Sequence, residues 1–346
     1  MTTRLARLQE TIEAPLLVSS LVNVRYLTGF ESSNAALLVE PGRARLFTDF
    51  RYAERARALT EVELVVTRRD LYAELPSLIA EPIEFEPAAL TYARYELLTG
   101  GGLELTPRAG LVEAMRAVKD DGELEAIRRA AAAANEAFAG FAEEPFVGCS
   151  EKELAWRMET LLHEAGGEEL SFPPIVASGP TGGWPHAIPG DRKVGVGETI
   201  VVDAGCRVGG YCSDCTRTFV TGELPDDLAQ AYDVVRRAQE IGLALVCAGA
   251  DSAEVDWTAR DVIEAEGLGA AFGHGLGHGV GLEVHEPPWL NAEWPSTLAV
   301  GNVVTVDLDV HAVLELIRVD RLRHRPNVDD RSRSPIDRSR RRSRAR

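Results

Sequence analysis

TIVVDAGCRVGGYCSDCTRTFV, residues 199–220, is the stretch on which the reading of the rest turns. Apolar and β-branched residues lie on both sides of Gly209-Gly210, the pattern of two strands joined by a two-residue turn. Such a turn sets Val208 against Tyr211, and the same register carried outward sets Asp203 against Thr216. Asp214, two residues from Thr216, then shares a face with Asp203 and lies diagonally across from it. Two carboxylates pointing the same way from a half-buried sheet repel each other unless a proton or a cation lies between them. A solvated acidic face is the plain alternative, and the hairpin alone does not choose. Cys212 and Cys215 form a lone Cys-x-x-Cys in a strand, without the second pair of a zinc ribbon or the helix start of a redox motif. They read as small buried residues flanking Asp214.

With 346 residues, 45% of them apolar, the chain is long enough for two domains and a sizeable core. It contains no apolar run long enough to span a bilayer, and MTTRLARLQETIEA at the start lacks a signal-peptide block, so a cytoplasmic protein is expected. The five scattered cysteines suit a reducing compartment better than a disulfide framework. The net charge of −17 hides an asymmetry: residues 318–346 hold twelve Arg against four Asp, which leaves −25 on residues 1–317. A body that acidic argues against nucleic acid as a partner, except through the basic tail.

Residues 16–50 read as a strand, a short helical segment and a hairpin, followed by a helix over 51–60. VELVVT, LYAELPSLIA and EPIEFEP continue as strand, helix and a strand near a sheet edge, making a small α/β unit without the residue types of a catalytic centre. Long helices follow over 110–144, broken and capped at Asp120-Asp121-Gly122, and over 150–166, with Ser150 and Glu153 as a capping box. SGPTGGWPHAIPGDRKV is a long Gly/Pro-rich loop whose single imidazole is His186. Two further helices, one ending near Gly249 and one running from Ser252 to Gly267, complete a second domain of helices around a mainly antiparallel sheet, which is α+β.

The second cluster of chemistry is FGHGLGHGVGLEVHE, residues 272–286. His274 and His278 have helical spacing, but glycines at every second position would destabilise a helix by about 1 kcal/mol each, so the segment is predicted to be extended. In extended backbone His274, Leu276, His278 and Val280 share one face and the glycines the other, so something must approach the glycine side closely. His285 follows just before Glu286-Pro287-Pro288. Two Asp and several His, with further carboxylates, are the composition of a dinuclear hydrolytic site.

Taken together, SGPTGGWPHAIPGDRKV, VVDAG followed eleven residues on by SDCTRT, and HGLGHGVGLEVHE resemble the pita-bread metallopeptidases, specifically the Xaa-Pro branch of prolidase and aminopeptidase P. SLVNVRYLTGFESSNAALLVE is similar to the creatinase-like N-terminal domain of that branch, and MRAVKDDGELEAIRRA to the opening of its catalytic domain. The resemblance implies an α+β pita-bread domain over 112–320 preceded by the creatinase-like domain over 1–111. It further implies that Asp203 and Asp214 ligate two divalent metals, Mn or Co with Zn as a further option, that His278 ligates one of them, and that His186, His274 and His285 line the substrate pocket. The expected activity is hydrolysis of Xaa-Pro peptide bonds by a metal-activated water, on a peptide with proline in second position, in a homodimer.

The sequence departs from the family where two Glu ligands are expected. VVTVDLDV offers Asp307 and IRVDRL offers Asp320, each one methylene shorter than Glu. Beyond it, residues 321–346 form a basic Arg/Ser-rich stretch that reads as a disordered tail, and the abrupt change of character over roughly the last 40 residues also reads as the product of a shifted reading frame or a truncated ancestor. These departures leave open a second reading, a pita-bread protein that binds or scaffolds without catalysis.

Overall fold

The computed structural model describes residues 3–184, 186–223, 226–307 and 314–318, the last of these by backbone alone. The first domain is built on a six-stranded mixed sheet. In chain order it comprises α1 (Arg4–Thr11), β1 (Leu16–Val18), α2 (Leu21–Thr28), β2 (Ala35–Glu40), β3 (Arg43–Asp49), α3 (Ala53–Ala56), β4 (Glu63–Thr67), α4 (Leu71–Leu78), β5 (Ile83–Phe85), α5 (Tyr92–Gly100) and β6 (Leu105–Pro107). The strand order is β4-β3-β2-β1-β5-β6. Leu17, Leu38 and Phe47 pack under α4 and α5, whereas Leu16, Leu37 and Leu46 pack with Leu5 and Leu8 of α1 and Val24 of α2, so both faces are covered as alternation along the strands requires. The expected helix over 51–60 shrinks to α3. The proline-flanked strand, β5, lies one position in from the edge, where β6 with Pro107 closes the sheet.

Helix α6 (Leu111–Ala117) follows the first sheet, and α7 (Asp121–Phe141) and α8 (Glu151–Glu164) open the second domain. The Asp120–Glu123 and Ser150–Glu153 capping boxes start the latter two as the sequence predicts. The strands β7 (Glu169–Leu170), β8 (Ile175–Ser178), β9 (Thr199–Ala204), β10 (Cys206–Val208), β11 (Tyr211–Cys212) and β12 (Cys215–Val220) follow. After α9 (Asp226–Leu245) and α10 (Ser252–Ala265) come β13 (Gly277–Gly279), β14 (Glu286–Leu290), β15 (Val303–Asp307) and β16 (Leu314–Arg318). The ladders β11-β10-β7, β12-β9-β8 and β14-β13-β15-β16 are antiparallel throughout. Helices α7 and α8 bury Phe138, Phe141, Met158 and Leu162 against Val176, Ile200 and Val202, and α9 and α10 bury Val235, Ala259 and Ile263 against Leu276, Val304 and Val306. A single apolar cluster continues from the first sheet through Val112 and Ile127 to Tyr211, Val280 and Val303, so the two domains share a core.

The hairpin register is the predicted one: Val208 faces Tyr211 and Asp203 faces Thr216. Gly209 and Gly210 both have positive φ, 61° and 84°, which the primed hairpin turn demands and only glycine adopts without strain. The structure adds a break. The hairpin divides between two ladders at Gly205 and Ser213-Asp214, leaving Asp214 outside regular strand at the fold in the ribbon. A Cβ on Gly205 would lie 1.9 Å from the Ser213 carbonyl oxygen, so only glycine permits that crossing. Gly205→Ala is therefore expected to lower stability by about 2–3 kcal/mol, as overpacking against fixed backbone does. Urea unfolding followed by circular dichroism reads this directly, and an unchanged midpoint would show that the crossing yields.

Candidate metal centre

The glycine side of residues 272–286 is approached closely, as the sequence predicts, from Gly275 onward, whereas a Cβ on Gly273 would meet open space. An added Cβ would meet Leu290 O at 3.1 Å from Gly275, Thr305 O at 2.1 Å from Gly277, and Glu286 O at 2.4 Å from Gly279. The strand itself is shorter than expected. β13 covers three residues, and its register with β14 shifts between His278 and Gly279. As a result His274 and His278 reach the cavity, while Leu276 and Val280 turn away into two apolar clusters instead of sharing the histidines' face.

His186, Asp203, Asp214, His274, His278, His285 and Asp307 all line one cavity of about 610 Å³, with Trp289, Asn291 and Trp294 on its wall. A smaller recess of about 130 Å³, lined by Ile175, Ala177, Val201 and Trp184, opens beside it and shares His186 and Asp203. Asp203 comes from β9, His278 from β13 and Asp307 from the end of β15, so the site is assembled where separate ladders converge. Asp320 lies outside the described residues, as does the basic tail.

His278 is fixed from three sides. Its backbone N–H donates to Thr305 Oγ1 at 3.1 Å, its Nδ1 lies 3.0 Å from Gly279 O, and its Nε2 lies 3.1 Å from Asp307 Oδ2 and 3.5 Å from Asp214 Oδ2. With Nδ1–H donated to a carbonyl, the Nε2 lone pair of a neutral ring points at two carboxylates. Something positive must occupy that space. Burial alone would lower the pKa of His278, but the hydrogen bond to Asp307 and the charges of Asp307 and Asp214 push it up to about 9. A proton here balances the carboxylates as a cation would, since metal and proton compete for the same lone pairs. Donor atoms of Asp214, His278 and His285 lie within 4.8 Å of one another. His285, placed by the sequence resemblance among pocket residues, thus also stands within reach of the same ion. The His278 and His285 ring centroids are 4.3 Å apart, and burial together with the neighbouring His278 charge pulls the His285 pKa down. His274 points Nδ1 at Gly275 O, 2.7 Å away, and its buried Nε2 has no hydrogen-bond partner among the described residues. This mixture of carboxylate and imidazole donors fits a divalent transition metal. The shorter Asp307 does reach His278.

Residues not singled out by sequence hold the site in place. On α10, Arg260 donates to the carbonyls of Phe272 and His274 at 2.9 and 2.6 Å, and Asp256 accepts the Leu276 N–H at 2.8 Å. Glu151, in the first turn of α8, accepts from Ser178 N and Oγ, Thr181 Oγ1 and Gly190 N at 2.6–3.0 Å, tethering both ends of the loop that carries His186. In sequence Glu151 looks like an ordinary acid at a helix start. His186 is the one non-glycine residue with positive φ, 54°, among the described residues.

The chain belongs to metallopeptidase family M24, which it matches over residues 125–319, and it carries a Creatinase/Prolidase N-terminal domain over residues 4–118. It is 35% identical to an uncharacterized peptidase of Bacillus subtilis over 306 residues, 86% of each chain. A solved Xaa-Pro dipeptidase from Bacillus anthracis superposes with a TM-score of 0.83 at 33% identity, covering 87% of this chain and 88% of that one. An X-Pro aminopeptidase from Thermotoga maritima gives 0.78 at 31%, covering 87% and 89%. The α+β architecture, with its creatinase-like first domain and pita-bread second domain, is thereby the family's own, and membership implies divalent metal ions. No helix among the described residues is long and apolar enough to cross a membrane.

Burial opposes the Glu151 charge, but hydrogen bonds from Thr181, Gly190 and Ser178 outweigh it and hold the carboxyl below its usual range. A depressed folded pKa stabilises the fold above the unfolded value, about pH 4.3, and that contribution fades as pH falls through the folded pKa. Wild type should therefore exceed Glu151→Gln in urea midpoint at pH 7, and the gap should shrink as the solution is acidified below the unfolded value. A gap independent of pH would mean that the carboxylate charge is irrelevant to the tether.

Proposed function

We propose that the protein hydrolyses Xaa-Pro peptide bonds with two divalent ions, Mn or Co and alternatively Zn, held by Asp203, Asp214, His278 and Asp307. The observation that carries this reading is the placement of His278 Nε2 between Asp214 and Asp307 on the wall of a cavity large enough for a short peptide. Family membership supports the metal chemistry, and the names of the dipeptidase and aminopeptidase relatives support proline in second position.

When bound, the ions would polarise the scissile carbonyl and lower the pKa of the attacking water. The chain's own contribution is orientation and charge. Asp203, Asp214 and Asp307 concentrate negative charge where cations must sit. His285 and His186 border the same cavity and serve as imidazole N–H donors to the oxyanion that develops on the carbonyl. His274, whose Nδ1–H is donated to Gly275 O, presents the Nε2 lone pair of its neutral ring to the cavity and takes a substrate N–H. Trp289 and Trp294, with ring centroids 6.2 Å apart and planes inclined at 53°, give the cavity an apolar corner suited to a pyrrolidine ring. Asp320, at the second position where the resemblance implies a Glu ligand, would complete the metal-binding set and, as its last acidic member, carry a proton to the leaving prolyl nitrogen. The homodimer belongs to the same reading and is measured by light scattering on the purified protein.

With Mn supplied, the full chain should cleave Gly-Pro or an Xaa-Pro-Xaa peptide, and the preferred one separates dipeptidase from aminopeptidase action. Asp214→Asn and His278→Ala should each reduce metal per chain, read by elemental analysis, and lower kcat/KM by more than about 100-fold, beyond the loss typical of outer-shell changes. A folded wild-type protein that takes up no Mn and cleaves neither peptide would sink the enzyme reading in favour of a binding protein.

A further inference from the structure

Behind His285 lies a buried ion cluster that does not line the cavity. The side chains of Arg116, Lys119 and Glu286 are 3%, 0% and 2% exposed. Arg116 pairs with the Glu286 carboxylate, donates from Nη2 to Glu283 Oε2 at 2.7 Å, and donates from Nη1 to Asn23 Oδ1 at 2.8 Å. Lys119 Nζ stands 2.9 Å from Glu286 Oε1. From Asn23 the chain of contacts runs on into the first domain: its Nδ2 donates to Glu86 Oε1 at 2.6 Å and to Glu113 Oε1 at 2.7 Å, and Glu86 Oε2 accepts the backbone N–H groups of Ser19 and Ser20. Room for the Glu286 carboxylate exists because residue 281 is glycine, where a Cβ would lie 2.2 Å from Oε1.

Such a cluster is a poor way to gain stability, since desolvating two cations and a carboxylate offsets most of their attraction. What it does supply is fixed geometry. Glu286 begins β14 and pairs with Gly279 at the register shift that follows His278. His285 is the last residue of the bend that leads directly into β14, and it lines the cavity whereas Glu286 does not, so anchoring Glu286 fixes the backbone from which His285 projects. The His285 ring makes no hydrogen bond of its own among the described residues; its close neighbour is the His278 ring.

We infer that Arg116, Lys119 and Glu286 are positioning residues that hold His285 against His278, and that Asn23 makes this placement depend on the N-terminal domain. The catalytic part of the inference rests on the function proposed above, whereas the placement of His285 can be read without any turnover.

The experiment uses full-length protein with ¹⁵N-labelled histidine, the His285 imidazole signals being assigned with His285→Gln. Arg116→Gln, Arg116→Lys and Asn23→Ala are compared in metal-free protein by imidazole NMR, and with Mn by metal content, kcat and KM. Arg116→Gln should move the His285 signals and lower kcat by about tenfold or more, as loss of a supporting contact does, with metal per chain and KM little changed. Arg116→Lys, which keeps the charge on Glu286, should restore most of both, and Asn23→Ala should change both in the same direction by less. Folded Arg116→Gln with His285 signals at their wild-type positions overturns the inference. If that variant does not fold, unmoved signals in Asn23→Ala overturn it equally. A wild-type protein without Xaa-Pro turnover, but with His285 signals that respond to Arg116→Gln, removes the proposed function and leaves the positioning role standing.

Discussion

Two carboxylates share one imidazole nitrogen in this fold. Asp307 and Asp214 approach His278 Nε2 to 3.1 and 3.5 Å on a half-buried wall, where an uncompensated pair of negative charges is untenable. Everything around that point serves to keep it in place. The glycines of β13 let Thr305 and Glu286 press against the strand that carries His278. The break at Gly205 and Ser213 carries Asp214 out of the ladder and into the cavity. The Asp256–Arg260 pair on α10 fixes the segment that holds His274.

The cavity is framed by chemistry of two kinds. Acids and imidazoles line it together with Asn291 and the indoles of Trp289 and Trp294, Trp289 being the cross-strand partner of His278. A ligand that fits both has an electron-rich carbonyl next to a compact apolar group, and a peptide bond to proline has that character. The N-terminal domain contributes none of the residues lining the described cavity, yet it shares an apolar core with the second domain and reaches, through Asn23 and Arg116, the residue next to His285. Its contribution to the site is therefore one of support.

Much of this was legible in the sequence, for identifiable reasons. Gly209-Gly210 specifies a turn, a turn specifies a register, and the register brings Asp203 opposite Thr216 as observed. Alternate glycines in residues 272–286 announce close backbone approach, and the structure supplies the approaching atoms. What stayed hidden depends on tertiary placement. Period-two alternation cannot report that β13 covers only Gly277–Gly279 and shifts register after His278, which leaves Leu276 before the strand and Val280 beyond the shift, each in an apolar cluster. The contact between Asp307 and His278 joins strands whose pairing no local signal reveals. Glu151 and Glu286 look like a helix-start acid and a neighbour of prolines, and only burial exposes their roles as anchors.

The most direct measurement is anomalous diffraction at the manganese edge from crystals of the full chain soaked in Mn²⁺. The arrangement around His278 predicts anomalous density in the cavity within bonding distance of Asp214 and of His278 Nε2. A soaked crystal with no anomalous density between Asp214, His278 and Asp307 would contradict it.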